Sequence, residues 1–402
     1  MSTLPPPQSP PPNNGAKCIA VDPASFQFAA FNSDPIGAPL PPATPKQVAD
    51  HAAIAKAAAI LQTDQPVAFP TETVYGLAAN ALRPEAVARI FQAKGRPSDN
   101  PLIVHISSLE MLHRLLPPGV ALPAVYTNVI ESVWPGPLTI LIPRGPAVPL
   151  AVTGGHDTVA VRFPSHPVAR ALIAACGFPL AAPSANTSGR PSPTLAAHVL
   201  LDLGTRIPLV LDGGPCSGGV ESTVLDGLAT PPVVLRPGGI TVEMLQTMPG
   251  LEHLRVYRRD FTDSAMEAAP TTPGMKYRHY TPEAEVVLFE TAGADAASRS
   301  RLRAAVDDEA RRLATQDPPY HVGIMRTTSV PAIPDAPLPP QTQEIELGTV
   351  PAHVAQGLFA ALRELEARGV AVILVEGVGE ELEGLAVMNR IRKAASRVVT
   401  VL

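Results

Sequence analysis

The residues best equipped for chemistry crowd into one stretch, Val67–Ile106. Thr71, Glu72, Thr73, Tyr75, Lys94, Arg96, Asn100 and His105 stand there between two apolar strands. Further along, Thr158, Ala160 and Arg162 share one face of an extended run whose alternate residues, Val159, Val161 and Phe163, read as core. Ser184 sits in a loop of hydroxyls and one amide, and Ser222 and Arg236 fall in two short runs that look like paired strands. The inventory is therefore cations (Lys94, Arg96, Arg162, Arg236), neutral donors (Thr73, Asn100, Thr158, Ser184, Ser222) and the His105 imidazole. No cysteine or serine stands out with a partnered base, and no clustered carboxylates suit a pair of metals. Such a set positions and neutralises a polyanion while the substrate supplies the attacking group. Adenylate formation, or another phosphate-linked transfer, is the chemistry it predicts.

Secondary structure has to bring these groups together. The spacing predicts a helix over Pro45–Leu61 and a buried strand from Val67 to Phe69. A second helix opens at Pro84 and is closed by Gly95 in a left-handed conformation. Lys94 then lies on the apolar side of that helix's last turn. A lysine there can simply offset the helix dipole, but Arg96 and the Ser98–Pro101 turn add more polarity than that requires. Leu102–Ile106 reads as a strand in which only His105 is polar. His105 is open to two readings, a satisfied core residue or a substrate contact, and Arg162 likewise could serve a surface salt bridge. The glycine-rich run Gly213–Gly219 is not a Walker loop, because no Gly-Lys-Ser/Thr and no helix follow it.

The bulk numbers narrow the class. The chain has 402 residues, 46% hydrophobic and 17% charged, which fits two or three globular domains. A formal charge of −5 argues against a broad nucleic-acid or acidic-membrane surface. Cys18, Cys176 and Cys216 form no Cys-x-x-Cys pair, which excludes a zinc ribbon and favours a reducing compartment. With no membrane-length apolar run and no signal-peptide core, a soluble cytoplasmic protein is expected. Residues 1–45 read as a proline-rich extension, mobile at least to Asn14, with Cys18–Val21 and Phe26–Phe31 lying against the domain surface. A mixed α/β domain is expected over 46–259, with many short strands. A linker spans 260–283, and its Tyr277-Arg278-His279-Tyr280 run suggests a segment lying over a site. From 284 to 402, strands alternating with helices predict a smaller parallel α/β domain with a structural or regulatory role.

Six motifs carry a resemblance. PTETVYGL at 70–77, KGRPSDNPLIVHI at 94–106, TVAVR at 158–162, PSAN at 183–186, ESTV at 221–224 and RPG at 236–238 together resemble the YrdC-like family of L-threonylcarbamoyladenylate synthases. The linker and trailing domain are similar to its longer two-domain members. The resemblance implies a twisted mixed sheet with helices around a concave site, followed by a Rossmann-like parallel α/β domain. It implies a nucleotidyltransferase that joins L-threonine, bicarbonate or CO2, and ATP into threonylcarbamoyl-AMP and pyrophosphate. That product would pass to a separate tRNA threonylcarbamoyl transferase, with Mg²⁺ accompanying ATP, a weak RNA contact and no membrane. By position, threonine would meet Thr73, His105, Arg162, Ala182 and Ser222. ATP would meet Arg96, Asn100, Thr158, Ser184, Ser192, Arg236 and Tyr280, with Lys94 and Arg96 at the phosphates and no metal-ligating protein residues. Two rivals stand beside it. One is an RNA-binding module without catalysis; the other is a hydrogenase-maturation carbamoyltransferase, whose zinc-binding cysteine motifs this chain lacks.

Overall fold

The computed structural model describes residues 15–29, 37–257, 279–293, 295–328 and 337–402. The N-terminal tail to Asn14, most of the linker and part of the proline-rich loop before residue 340 lie outside the described residues. Two compact units emerge: one holds Pro7–Ser188 and Ser192–Tyr277, while the other gathers Gly189–Pro191 with Arg278–Leu402.

The first unit is built on a sheet of eleven short strands: β1 (Lys17–Ala20), β2 (Val67–Phe69), β3 (Gly76–Asn80), β4 (Ile103–His105), β5 (Leu138–Pro143), β6 (Thr158–Arg162), β7 (Leu180–Ala181), β8 (Leu209–Asp212), β9 (Thr223–Asp226), β10 (Val233–Arg236) and β11 (Arg255–Val256). Their order across the sheet is β1-β8-β2-β3-β7-β4-β6-β5-β9-β10-β11, a mixture of parallel and antiparallel pairs. Residues 17–20, read from sequence as part of an extension, are the edge strand, paired in parallel with β8. Phe26 is buried in the main core.

Helices follow the punctuation in the sequence. Helix Pro45–Gln62 opens on a capping box in which Thr44 and Gln47 satisfy each other's backbone donors. Helix Pro84–Lys94 starts on proline and stops at Gly95, whose φ of 62° is the left-handed conformation expected of it. It buries Ala86, Val87, Ile90, Ala93 and also Lys94. None of the described helices is long and apolar enough to cross a membrane.

The second unit is a five-stranded, all-parallel sheet. Its strands are β12 (Glu285–Thr291), β13 (Val322–Arg326), β14 (Gln343–Glu346), β15 (Val372–Glu376) and β16 (Arg397–Val401), in the order β14-β13-β15-β12-β16. Helix Ala296–Ala314 covers one face, packing Leu302, Val306 and Ala310 on Val287, Phe289, Ile324 and Leu374. Helix Pro351–Ala367 takes the other face, where a Cβ on Gly323 would run into Leu365, and helix Glu383–Ala394 packs against it.

Candidate active site

Register brings the first candidates side by side. β4 and β6 run in parallel with His105 opposite Arg162, and β5 places Thr139 on Arg162's other flank. β9 then runs in parallel with β5, which brings Ser222, just before Thr223, to the Thr139 hydroxyl at 2.8 Å. Arg236, displaced by a β-bulge, aims its guanidinium at the Ser222 carbonyl at 2.9 Å and its hydroxyl at 3.3 Å. Thus Thr73, His105, Arg162, Ser222 and Arg236 converge, although they are far apart in the chain.

Arg162 is the centre of that group and is only 4% exposed. Its Nη2 donates to Glu72 Oε1 at 2.6 Å, its Nη1 to Thr73 Oγ1 at 2.8 Å, and its Nε to the Gly136 carbonyl at 3.4 Å. Of the guanidinium's five N–H groups, this leaves one on each terminal nitrogen for a further acceptor. The Glu72 backbone is fixed by Gly218, whose amide donates to the Glu72 carbonyl at 2.7 Å. Glu72 Oε2 is buried with no hydrogen-bond partner. No role for this carboxylate follows from the sequence alone. Its signal was a Thr71-Glu72-Thr73 run leaving a wholly apolar strand, where three polar residues in succession need a destination.

His105 is buried and its pKa falls to about 3, first through burial and then through the neighbouring Arg162 charge. The ring is therefore neutral at physiological pH. It sits 3.3 Å from the Ile103 carbonyl through Nδ1 and edge-on to Phe69. Ala182 lines the neighbouring strand end, its amide donating to Ile103. A Cβ on Gly76 would strike the Phe69 ring at 2.9 Å, so only glycine lets these layers close.

A second cluster forms at the end of helix Pro84–Lys94. Lys94 is 1% exposed, and its Nζ donates to the carbonyls of Ser184 and Asn186, the latter at 2.6 Å. The lysine thereby shapes the hydroxyl-rich loop, whose Ser184 Oγ bonds Asn186 Oδ1. Arg96 folds back on its own turn, donating to the carbonyls of Asn100 at 3.3 Å and Pro101 at 3.0 Å. Ser192 donates to Glu221 at 2.7 Å, next to Ser222. Thr158 begins β6, at the opposite end from Arg162.

Tyr280 belongs to the C-terminal unit. Its ring is 1% exposed and packs on Phe359 at 5.1 Å, with His279 at 4.4 Å and the Arg390 guanidinium at 6.0 Å. Its backbone is left-handed, φ 65°, a conformation disfavoured for a bulky side chain. Among the described residues no group of three or more His, Cys, Asp or Glu could hold a metal ion.

Two family models match successive stretches of the chain. One, described as "Telomere recombination" and covering Sua5, YciO and YrdC proteins, matches residues 59–238; the other, "Threonylcarbamoyl-AMP synthase, C-terminal domain", matches residues 240–396. A threonylcarbamoyl-AMP synthase of Schizosaccharomyces pombe is 46% identical over 371 residues, spanning 86% of this chain and 89% of that protein. That of Pyrococcus abyssi is 44% identical over 339 residues, spanning 84% and 93%. Among solved structures, P. abyssi Sua5 complexed with L-threonine superimposes with a TM-score of 0.78 at 42% identity, covering 88% of this chain and 97% of that one. With both family models matched in succession and relatives more than 40% identical over most of their length, the chain belongs to the threonylcarbamoyl-AMP synthase family.

Proposed function

We propose that this protein is an ATP-dependent nucleotidyltransferase that makes L-threonylcarbamoyl-AMP from L-threonine, bicarbonate or CO2, and ATP, releasing pyrophosphate. Its product serves the threonylcarbamoyladenosine modification of tRNA through a separate transferase. The observation that carries the reading is the buried Arg162–Glu72–Thr73 group beside a neutral His105. This is a cation and an anion held side by side, which matches a zwitterionic amino acid.

In that reading the threonine carboxylate takes the two remaining N–H groups of Arg162 in a bidentate grip. The ammonium lies against Glu72 Oε2, the buried oxygen without a partner. Transfer of one ammonium proton to that oxygen leaves a neutral amine, which adds to the carbon of CO2. Loss of a second nitrogen proton to water gives the carbamate. One carbamate oxygen attacks the α-phosphorus of ATP, and the bond to the β-phosphate oxygen breaks as pyrophosphate leaves. Lys94, Arg96 and Arg236 offset the charge of the phosphates, while Asn100, Thr158, Ser184 and Ser192 supply neutral donors for the nucleotide. Mg²⁺ brought in with ATP would supply Lewis-acid stabilisation of the leaving group.

Pyrophosphate release with ATP, threonine and bicarbonate together, and not with any one omitted, is the expected result. Release independent of threonine, or none at all, overturns the assignment.

A further inference from the structure

The C-terminal unit contains a cavity of ≈ 590 Å³ lined by Glu290–Gly293, Arg299, Thr327, Thr328, Thr349, Pro351, Gly377–Leu382 and Arg392 among others. That volume falls within the range of small-molecule sites, roughly 300–1,000 Å³. Its position follows a rule of open parallel sheets. The lining comes from the residues that leave the carboxyl ends of β12, β13 and β15. β12 and β15 are neighbours, yet β12 continues into helix Ala296–Ala314 on one face and β15 into helix Glu383–Ala394 on the other. Adjacent strands that diverge to opposite faces leave a crevice above the sheet, and ligands of such folds bind there.

The floor of the crevice is rigid. Glu376, fully buried at the end of β15, accepts from the amides of Thr327 at 2.9 Å and Thr328 at 3.0 Å, and from the Thr328 hydroxyl at 2.9 Å. Its other oxygen takes Arg326 at 2.8 Å. On the wall, Arg392 holds both oxygens of Glu290, at 2.8 and 2.9 Å, and Glu380 at 2.6 Å. Those carboxylates are therefore committed to an internal ion pair. What remains for a ligand is distributed unevenly. Arg299 has no ion-pair partner among the described residues, and helix Pro351–Ala367 opens without a side-chain cap or an acidic residue in its first turn. Both favour an anionic group. The Thr291 and Thr349 hydroxyls and the Glu381 carboxylate suit the hydroxyls of an attached body.

We infer that this crevice binds a small phosphomonoester with a hydroxylated, ribose-sized body, either a sugar phosphate or a mononucleotide. The site lies wholly in the C-terminal unit and stands apart from the synthesis proposed above. Hydrogen–deuterium exchange on the full chain tests it, with ribose 5-phosphate, AMP, adenosine and inorganic phosphate as separate probes. Ribose 5-phosphate and AMP should protect residues 290–293 and 377–382, and adenosine should not. Arg299→Ala, on an exposed side chain, should weaken that protection by about tenfold, as expected for loss of a charged contact. A Cβ on Gly379 meets nothing within 4 Å, so Gly379→Phe should obstruct the crevice without unfolding the domain. The proposal is overturned by absence of protection, by equal protection from adenosine or from phosphate alone, or by an unchanged response in both variants. Threonine-dependent pyrophosphate release should be unaltered in Arg299→Ala, so failure here and failure of the synthase assignment read out separately.

Discussion

At the scale of single residues, Arg162 and Glu72 set the expectations. Replacing Arg162 with Ala removes the carboxylate grip and strands Glu72 as a buried, unpaired anion. Threonine KM should rise by at least about a hundredfold, since removing one side of a buried charged contact to a bound partner costs ~2–5 kcal/mol of affinity. Glu72→Gln separates charge from shape. The amide can still accept from Arg162 but cannot take a proton from the amine, so kcat should drop about 10²-fold with a smaller change in KM. A steady-state kcat and KM comparison decides this, and an unchanged kcat removes Glu72 from the reaction. His105 governs acid behaviour instead. Its folded pKa of about 3 lies below the ordinary 6.5, so the unfolded chain binds the proton first as pH falls. The stability this neutral ring contributes is complete above about pH 6.5 and is lost between there and pH 3, at ~1.4 kcal/mol per pH unit. Denaturant melts across that window should be less pH-dependent for His105→Asn. Arg162 and His105 were legible from strand alternation and the density of polar groups around them. Glu72 was not, because its meaning depends on a guanidinium ninety positions away in the sequence.

Elements were easier to read than their partners. Proline starts, the Gly95 stop and the alternation in Thr158–Phe163 fixed their own boundaries, because caps and periodicity are local. Pairing is not local. Nothing in residues 17–20 announces an edge strand against Leu209–Asp212, since four half-apolar residues fit a surface segment equally well. The same limit explains Lys94. Its place on the apolar side of a helix was visible, while the two carbonyls it holds, in a loop near residue 185, were not. Lys94→Ala should therefore do double harm, abolishing adenylate formation and loosening the Ser184 loop. Lys94→Met should preserve the packing and still lose activity, and a thermal melt beside the pyrophosphate assay separates the two. Tyr280 is held in a left-handed turn by ring packing, a backbone state that costs about 1–3 kcal/mol. If the linker closes over the nucleotide, Tyr280→Ala should raise AMP released per threonylcarbamoyl-AMP formed. Unchanged coupling would end the expectation that this segment lies over the site.

For the whole molecule, alternating strands and helices sufficed to predict the parallel C-terminal sheet, but not its buried charge. Arg326, 1% exposed, is pinned by Glu376, Asp307 and Glu344. Glu376→Ala would leave that guanidinium without its best-buried partner, at a cost of about 3–5 kcal/mol. The melting transition of the second unit should drop, while differential scanning calorimetry should find the first unit's transition nearly unmoved.

The edge of the large sheet has a consequence for how the chain is made. β8 is the shared neighbour of β1 and β2, whose residues are synthesised far ahead of it. Until Leu209–Asp212 leaves the ribosome, both earlier strands lack that partner and keep unmatched backbone donors and apolar side chains in reach of other chains. Nascent chains stalled before this point should be captured by chaperones and cut readily by protease. Extending them through Asp212 and the strands that follow should confer resistance in one step, making the order of synthesis, more than the order of stability, the factor that decides when this enzyme is vulnerable.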